Sequence, residues 1–125
     1  MKKIISTDKA PKPIGPYNQA VMAGNTLYIS GQIPLNPATG ELVKGDVKEQ
    51  TRMVMENLKA VLTEAGLNFS NVVKCSIFIS DMKDFPLINE VYGRFFTADP
   101  PARETVQVAG LPMGVDVEIS CIAVA

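Results

Sequence analysis

The sequence predicts an α+β fold: a mixed sheet of five or six strands with two amphipathic helices covering one of its faces. Three observations predict it. The segments read strands, helix, strand, helix, strands in chain order. One stretch near the middle carries an apolar stripe at helical spacing. The β-branched runs are cut into short pieces by nine prolines and nine glycines. The 125 residues are 46% apolar and 20% charged, the size of one domain spanning 1–125. A chain of that length buries roughly two-thirds of its unfolded surface without disulfide staples.

Residues 3–6 suit a short edge strand. Pro11, Pro13, Gly15 and Pro16 then make a stiff loop that lacks backbone donors. Residues 17–23 and 26–30 read as strands joined by a two-residue Gly24-Asn25 turn. The stretch from Gly31 to Gly45 holds Pro34, Pro37 and Ala-Thr-Gly, so it reads as loop with a brief strand at 41–43. Asp46 is a good N-cap, with Glu49 as a capping-box-like partner. Val47, Thr51, Val54, Leu58, Val61, Leu62 and Ala65 fall in one stripe of a helix, and Gly66 stops it. Residues 71–79 form a strand whose alternation points Val73, Cys75, Ile77 and Ile79 to one face. A second helix starts near Asp81 or Asp84, with Pro86 in its first turn and Phe85, Ile88, Tyr92, Phe95 and Phe96 as its apolar set. Asp99-Pro100-Pro101 ends it. Strands at 103–109 and 115–124 flank the Gly110–Gly114 connection.

The last strand has apolar residues on both sides: Val117, Ile119 and Cys121 on one, Ile122 and Val124 on the other. Two helices cover one sheet face only. The other face is covered either by a second copy of the chain in a closed oligomer or by the 31–45 loop.

Composition removes several function classes. Twelve cationic and thirteen anionic side chains give a net charge of −1, which argues against general nucleic-acid binding. The chain has no histidine. It therefore lacks Ser-His and Cys-His nucleophile pairs and histidine metal sites. Cys75 and Cys121 are too few for a disulfide framework or a four-cysteine zinc site and read as small core residues. No apolar run reaches the length of a membrane span, and no signal peptide is legible; with the histidine and cysteine counts, a cytoplasmic, metal-free protein is expected.

Polar residues in unusual places are the candidates for chemistry. Arg103 follows Asp-Pro-Pro-Ala and is presented from a rigid strand start. It is either a fork for a carboxylate or a surface arginine in an ordinary ion pair. Glu118 lies in the apolar strand 115–124, where a carboxylate needs a partner or a raised pKa and can activate a water, unless it belongs to a solvated stripe with Asp116 and Ser120. On neighbouring strands, Arg103 and Glu118 would make a minimal site for an anion and a water. Tyr17 offers a hydroxyl or a packed ring. Ser30-Gly31 permits close backbone approach or a simple turn. Asn89 sits on the second helix.

Four blocks carry a resemblance that covers essentially the whole chain. They are Pro13-Ile-Gly-Pro-Tyr-Asn-Gln-Ala20, Tyr28-Ile-Ser-Gly-Gln-Ile-Pro34 with Pro37-Ala-Thr-Gly40, Gln50-Thr51 through Asn57-Leu58, and Pro101-Ala-Arg-Glu-Thr-Val-Gln-Val-Ala-Gly-Leu111 running to Val117-Glu-Ile119. The chain resembles the RidA (YjgF) family of enamine/imine deaminases. The resemblance implies a chorismate-mutase-like fold, a homotrimer with sites between subunits, and hydrolysis of 2-aminoacrylate, 2-iminobutanoate and related imines to 2-oxo acids and ammonia. It also implies a functional link to pyridoxal-phosphate dehydratases, with no cofactor, nucleic acid or membrane partner. By position, Arg103 would bind the substrate carboxylate and Glu118 would place the water. Thr105 would contact the carboxylate end, and Tyr17, Ser30, Gly31 and Asn89 would line the pocket. Thr105 stands where many members have cysteine, which removes a thiol-dependent mechanism. Glu104 stands where the family carries a small residue, and alternation points it away from Arg103. The other reading of the same site is a non-catalytic sensor of 2-oxo acids or amino acids. RNA cleavage, attributed to some relatives, is poorly served by a histidine-free chain of charge −1.

Overall fold

The computed structural model describes residues 2–125. Six strands and two helices follow in the order β1 (Lys2–Ile5), β2 (Ala20–Ala23), β3 (Thr26–Gln32), α1 (Val47–Glu64), β4 (Val72–Ile79), α2 (Phe85–Gly93), β5 (Ala102–Gln107) and β6 (Val117–Val124). The strands make one mixed sheet in the order β1-β2-β3-β6-β4-β5. Only β4 and β5 pair in parallel, joined by the α2 crossover; the other neighbours are antiparallel.

The α1 stripe folds as its spacing demands. Val47, Thr51, Val54, Leu58, Val61 and Leu62 are buried. Asp46 caps the helix by accepting from the Lys48 backbone N–H at 2.9 Å. Glu49 does not complete a capping box. Its carboxylate pairs with Arg52 one turn on at 3.0 Å. Gly66 takes φ +77°, the left-handed conformation of a helix stop. The helices lie against the face bearing Leu27, Ile29, Cys75, Ile77, Ile79, Val117, Ile119, Cys121 and Ala123, all buried. Both cysteines are thus core residues, facing each other across β4 and β6.

Several expectations are corrected. The strand expected at 17–23 begins only at Ala20, because residues 17–19 are committed to anchoring the proline loop and the end of β3. Val73 is not a core residue but is exposed. The β4–β6 register shifts between Val72 and Lys74, and this bulge turns Val72 inward in its place. Asp81 caps a short 3-10 turn (Met82–Asp84) that leads into α2. The helix then ends at Gly93, well before the Asp99-Pro100-Pro101 stop. Phe95 and Phe96 therefore pack from beyond its end, edge-on against Phe69. The strand expected at 41–43 is reduced to a single bridge between Leu35 and Leu42.

The 31–45 loop does not cover the second sheet face. Asn57 on α1 donates to the carbonyls of Ile33 and Leu35, at 3.1 and 2.9 Å, and ties the loop to the helix side. The second face keeps Tyr28 at 50%, Ile4 at 45% and Val106 at 40% exposure. Asn57 itself is buried, so losing its two bonds strands two carbonyls. Asn57→Leu is expected to lower stability by about 2 kcal/mol. Urea unfolding at fixed protein concentration checks this through a shifted midpoint with an unchanged slope.

Candidate functional site

The candidate residues separate into two groups, and the alternation of the sheet separates them. In β6 the odd-numbered residues from Val117 to Ala123 are buried under the helices, so Glu118, Ser120, Ile122 and Val124 take the open face. In β5, Arg103 is in register with the buried Cys75, and Glu104 with Ser76. Arg103 and Thr105 therefore take the helix side. The expected convergence of Arg103 and Glu118 on neighbouring strands does not occur within one chain. Strand β4 lies between β5 and β6, and the two side chains leave opposite faces of the sheet.

The Arg103 group is built on α2 and β5. The Arg103 guanidinium donates to Asn89 Oδ1 at 2.7 Å. Its central carbon sits 5.1 Å from the Tyr92 ring centroid and 5.4 Å from that of Phe85. Two aromatic faces and one amide oxygen thus hold an exposed cation in place. Among the described residues no carboxylate pairs with it, so the ordinary ion-pair alternative is not what forms. Its remaining N–H donors are free for a planar anion. The cleft here, about 340 Å³, is lined by Asn89, Tyr92, Gly93, Phe96, Pro100, Pro101 and Arg103. Behind Arg103, the Tyr92 hydroxyl and Thr105 Oγ1 are buried with no hydrogen-bond partner among the described residues. Burial holds the Tyr92 hydroxyl protonated far above the usual tyrosine range. Glu104 stays out of the cleft. On the open face it accepts from the Ser76 hydroxyl and pairs with Lys74 at 2.9 Å. Those partners, Ser76 first, hold its carboxyl below the usual carboxylate range.

The Glu118 group is built on β6, β3 and the proline loop. Its cleft, about 520 Å³, is lined by Ile14, Tyr17, Ser30, Gly31, Ile33, Pro112, Met113 and Glu118. Gly31 lets the Glu118 side chain lie directly against the β3 backbone. A Cβ there would overlap the Glu118 carboxylate. Ser30 donates its hydroxyl to the Asn18 carbonyl at 2.6 Å and its backbone N–H to the Gln19 carbonyl at 2.9 Å. Tyr17 Oη accepts from the Ile14 N–H at 3.3 Å. Glu118 is half-buried, and burial raises its pKa above the usual carboxylate value. A carboxylate so placed is a better proton acceptor than one in water.

Three structural supports, present in the sequence blocks but given no role there, are all buried amides. Gln19 donates to the carbonyls of Thr7, Ala10 and Pro11 and accepts from the Thr7 N–H, which fastens the proline loop under Tyr17. Gln50 bonds the Asp116 carboxylate and backbone N–H, and Ser80 donates to the same carboxylate. Asp116 is thereby fixed two residues before Glu118, as structure and not as solvated stripe. Asn57 is the third. The available signal was an amide standing within an apolar helical face or at a strand start.

The described residues hold no group of three or more metal-ligating side chains. No helix among them is long and apolar enough to cross a membrane.

The structure is a small α+β protein with two separate clefts of small-molecule size, one holding a cation and one a carboxylate. The chain belongs to the RidA (YjgF) family, since the family model described as Endoribonuclease L-PSP matches residues 7–125. Protein DfrA of Myxococcus xanthus is 61% identical over 125 residues, covering 98% of this chain and 95% of that protein. The mouse protein named 2-iminobutanoate/2-iminopropanoate deaminase is 49% identical over 124 residues, covering 99% and 92%. The crystal structure of E. coli TdcF with bound serine superposes with a TM-score of 0.95 at 48% identity, covering 98% of each chain.

The contact between Gly31 and Glu118 gives a direct expectation. In Gly31→Ala the carboxylate is displaced toward water, and its pKa falls back toward the ordinary glutamate value. Carbon-13 NMR titration of the Glu118 carboxyl in both proteins measures the difference.

Proposed function

We propose that this chain hydrolyses the imines and enamines of 2-oxo acids to 2-oxo acid and ammonia, at a site completed where two copies meet. The observation that carries the reading is the division of the site. A guanidinium fork without a carboxylate partner and a half-buried carboxylate stand on opposite sheet faces of one protomer, so only a neighbouring copy can bring them together. The open face bearing Tyr28, Val106 and Ile4 supplies a surface for that neighbour, and a closed cyclic trimer is the assembly proposed. The deaminase name of the mouse relative supports the reaction.

In this reading Arg103 of one copy holds the substrate carboxylate, with Asn89, Phe85 and Tyr92 fixing the fork. Thr105, expected from its position to contact the carboxylate end, instead has its hydroxyl buried behind Arg103 and stands outside the lining of that cleft. Glu118 of the neighbouring copy accepts a proton from water, whose oxygen bonds to C2 of the imine. The tetrahedral carbon then expels nitrogen. The proton taken by Glu118 passes to the nitrogen as the C=N π bond opens. The proton of the new C2 hydroxyl then follows by way of Glu118, the C–N bond breaks, ammonia leaves, and the C2 oxygen remains as the ketone. Tyr17, Ser30 and Gly31 form the wall that keeps the water beside Glu118. Holding both reactants supplies effective molarity to a substrate that is already electrophilic, and neither histidine nor a covalent intermediate is needed.

A second reading is favoured by one observation. A relative was crystallised with serine, so the same two half-sites can serve a sensor that binds amino acids or 2-oxo acids. Glu118 discriminates the two, because a sensor needs Arg103 and does not need a base. The endoribonuclease wording of the family model is not adopted. The two clefts offer Arg103 as their cation, where an RNA backbone calls for several.

Coupled to a pyridoxal-phosphate serine or threonine dehydratase, the protein is expected to accelerate 2-oxo acid release. Glu118→Ala lowers that acceleration by about a hundred- to ten-thousandfold, the range for a lost general base. Arg103→Ala lowers kcat/KM by about a hundredfold. Equal rates for wild type and Glu118→Ala with binding retained would establish the sensor instead.

The pH profile follows from the direction of the Glu118 shift. The raised pKa means the base is lost earlier as pH falls. The acid limb of kcat/KM is therefore expected at an apparent pKa above the usual glutamate value.

A further inference from the structure

Two nucleophilic groups take no part in the proposed chemistry, the thiols of Cys75 and Cys121. Both are buried and free. They are direct register partners on the antiparallel strands β4 and β6, and both side chains take the helix side of the sheet. Residues opposed in this way have Cα atoms about 4.5 to 5.5 Å apart. A disulfide spans about 4.4 to 6.8 Å between Cα atoms. The pairing therefore places two sulfurs where a bond can close without a change of register.

A thiol in wholly apolar surroundings keeps its proton and is inert. Cys75 has other surroundings. The adjacent Cys121 thiol holds the Cys75 pKa below the usual thiol value, and Tyr92 and Arg103 act in the same direction. Arg103 is its register partner on β5, the edge strand of the sheet. The Tyr92 hydroxyl beside it is buried with no hydrogen-bond partner among the described residues. A buried donor left idle calls for an explanation. An oxygen on the Cys75 sulfur would give it something to bond.

We propose that Cys75 and Cys121 form a peroxide-sensitive pair, whose reversible disulfide across β4 and β6 loosens the hold of Arg103 on its ligand. The oxidant is hydrogen peroxide, hardly larger than water. The Cys75 thiolate attacks one peroxide oxygen, an S–O bond forms, the O–O bond breaks, and the departing hydroxide takes up the thiol proton as water. The Tyr92 hydroxyl donates to the sulfenic oxygen. Cys121 sulfur then attacks the Cys75 sulfur, the S–S bond forms, the S–O bond breaks, and the hydroxyl leaves with the Cys121 proton as a second water. Two electrons pass from the sulfurs to the peroxide. Bonding draws the Cys75 sulfur toward β6 and away from Tyr92. The Tyr92 ring, 5.1 Å from the Arg103 guanidinium carbon, loses support, and the fork loses its aim. The effect on hydrolysis rests on the deaminase reading; the disulfide does not.

The test treats the reduced, assembled protein with hydrogen peroxide, removes the excess with catalase, and alkylates free thiols in denaturant. Peptide mass spectrometry is expected to show Cys75 and Cys121 linked, two hydrogens lighter than the separate peptides, and separated again by dithiothreitol. In Cys121→Ser the reaction stops at a Cys75 sulfenic acid, which dimedone traps. In the oxidised wild type, KM for the imine rises by about tenfold, short of the loss from a fully misplaced group, with kcat little changed, and dithiothreitol restores it. Cys75→Ala keeps its KM through the same treatment, although exposed Met82 is oxidised in both proteins. Full alkylation of both cysteines in wild type whose Met82 has become sulfoxide overturns the pair. A linked pair with unchanged KM overturns its control of Arg103. Absence of imine hydrolysis by the reduced protein overturns the deaminase reading and with it that control, and the peptide masses still decide the disulfide.

Discussion

The two-residue period of a β-strand governs how this protein can work. Each strand sends alternate side chains to opposite faces, and two helices cover one of those faces. Everything on the helix side of β5 and β6 is either core or, at the sheet edge, the Arg103 group. Everything on the other side is the open face, with Glu118 at its end. No rotamer brings the guanidinium and the carboxylate together through an intact sheet. The same alternation that makes the core therefore separates Arg103 from Glu118, and it leaves an apolar surface on the open side.

Each half is made stiff by a different device. Arg103 is held from two sides by rings and from a third by Asn89, so its fork is aimed before any ligand arrives. Glu118 is held by crowding. Gly31 leaves room for the carboxylate against the β3 backbone, and partial burial shifts its proton affinity upward. Buried amides carry the rest. Gln19, Gln50 and Asn57 satisfy backbone groups of loops that have no strand or helix of their own. A buried carbonyl without a donor is costly, so these three residues decide where the proline loop, the segment before β6 and the 31–45 loop lie.

Much of this was legible in the sequence, and the illegible part has physical causes. The α1 helix could be read because Asp46, the apolar stripe and Gly66 agree with one another. The Gly24-Asn25 hairpin and the burial of both cysteines followed from equally local signals. Val73 could not be placed, because a bulge depends on the partner strand and shifts the alternation by one. The end of α2 was overestimated because Phe95 and Phe96 continue an apolar pattern that belongs to packing beyond the helix. Arg103, Glu118 and their companions could be singled out by residue type and setting. Their division between two faces could not, since it requires the strand order β6-β4-β5, a long-range fact that no single strand carries.

Mixing two inactive variants tests the division of the site most directly. Arg103→Ala and Glu118→Ala chains are unfolded together, refolded, and assayed for imine hydrolysis beside each variant refolded alone. If the halves come from different copies, a mixed assembly contains interfaces where an intact Arg103 meets an intact Glu118, and activity returns to a sizeable fraction of wild type. If both groups act within one chain, every chain in the mixture is defective. Activity that stayed at the level of the separate variants, in assemblies shown to be mixed, would contradict the account.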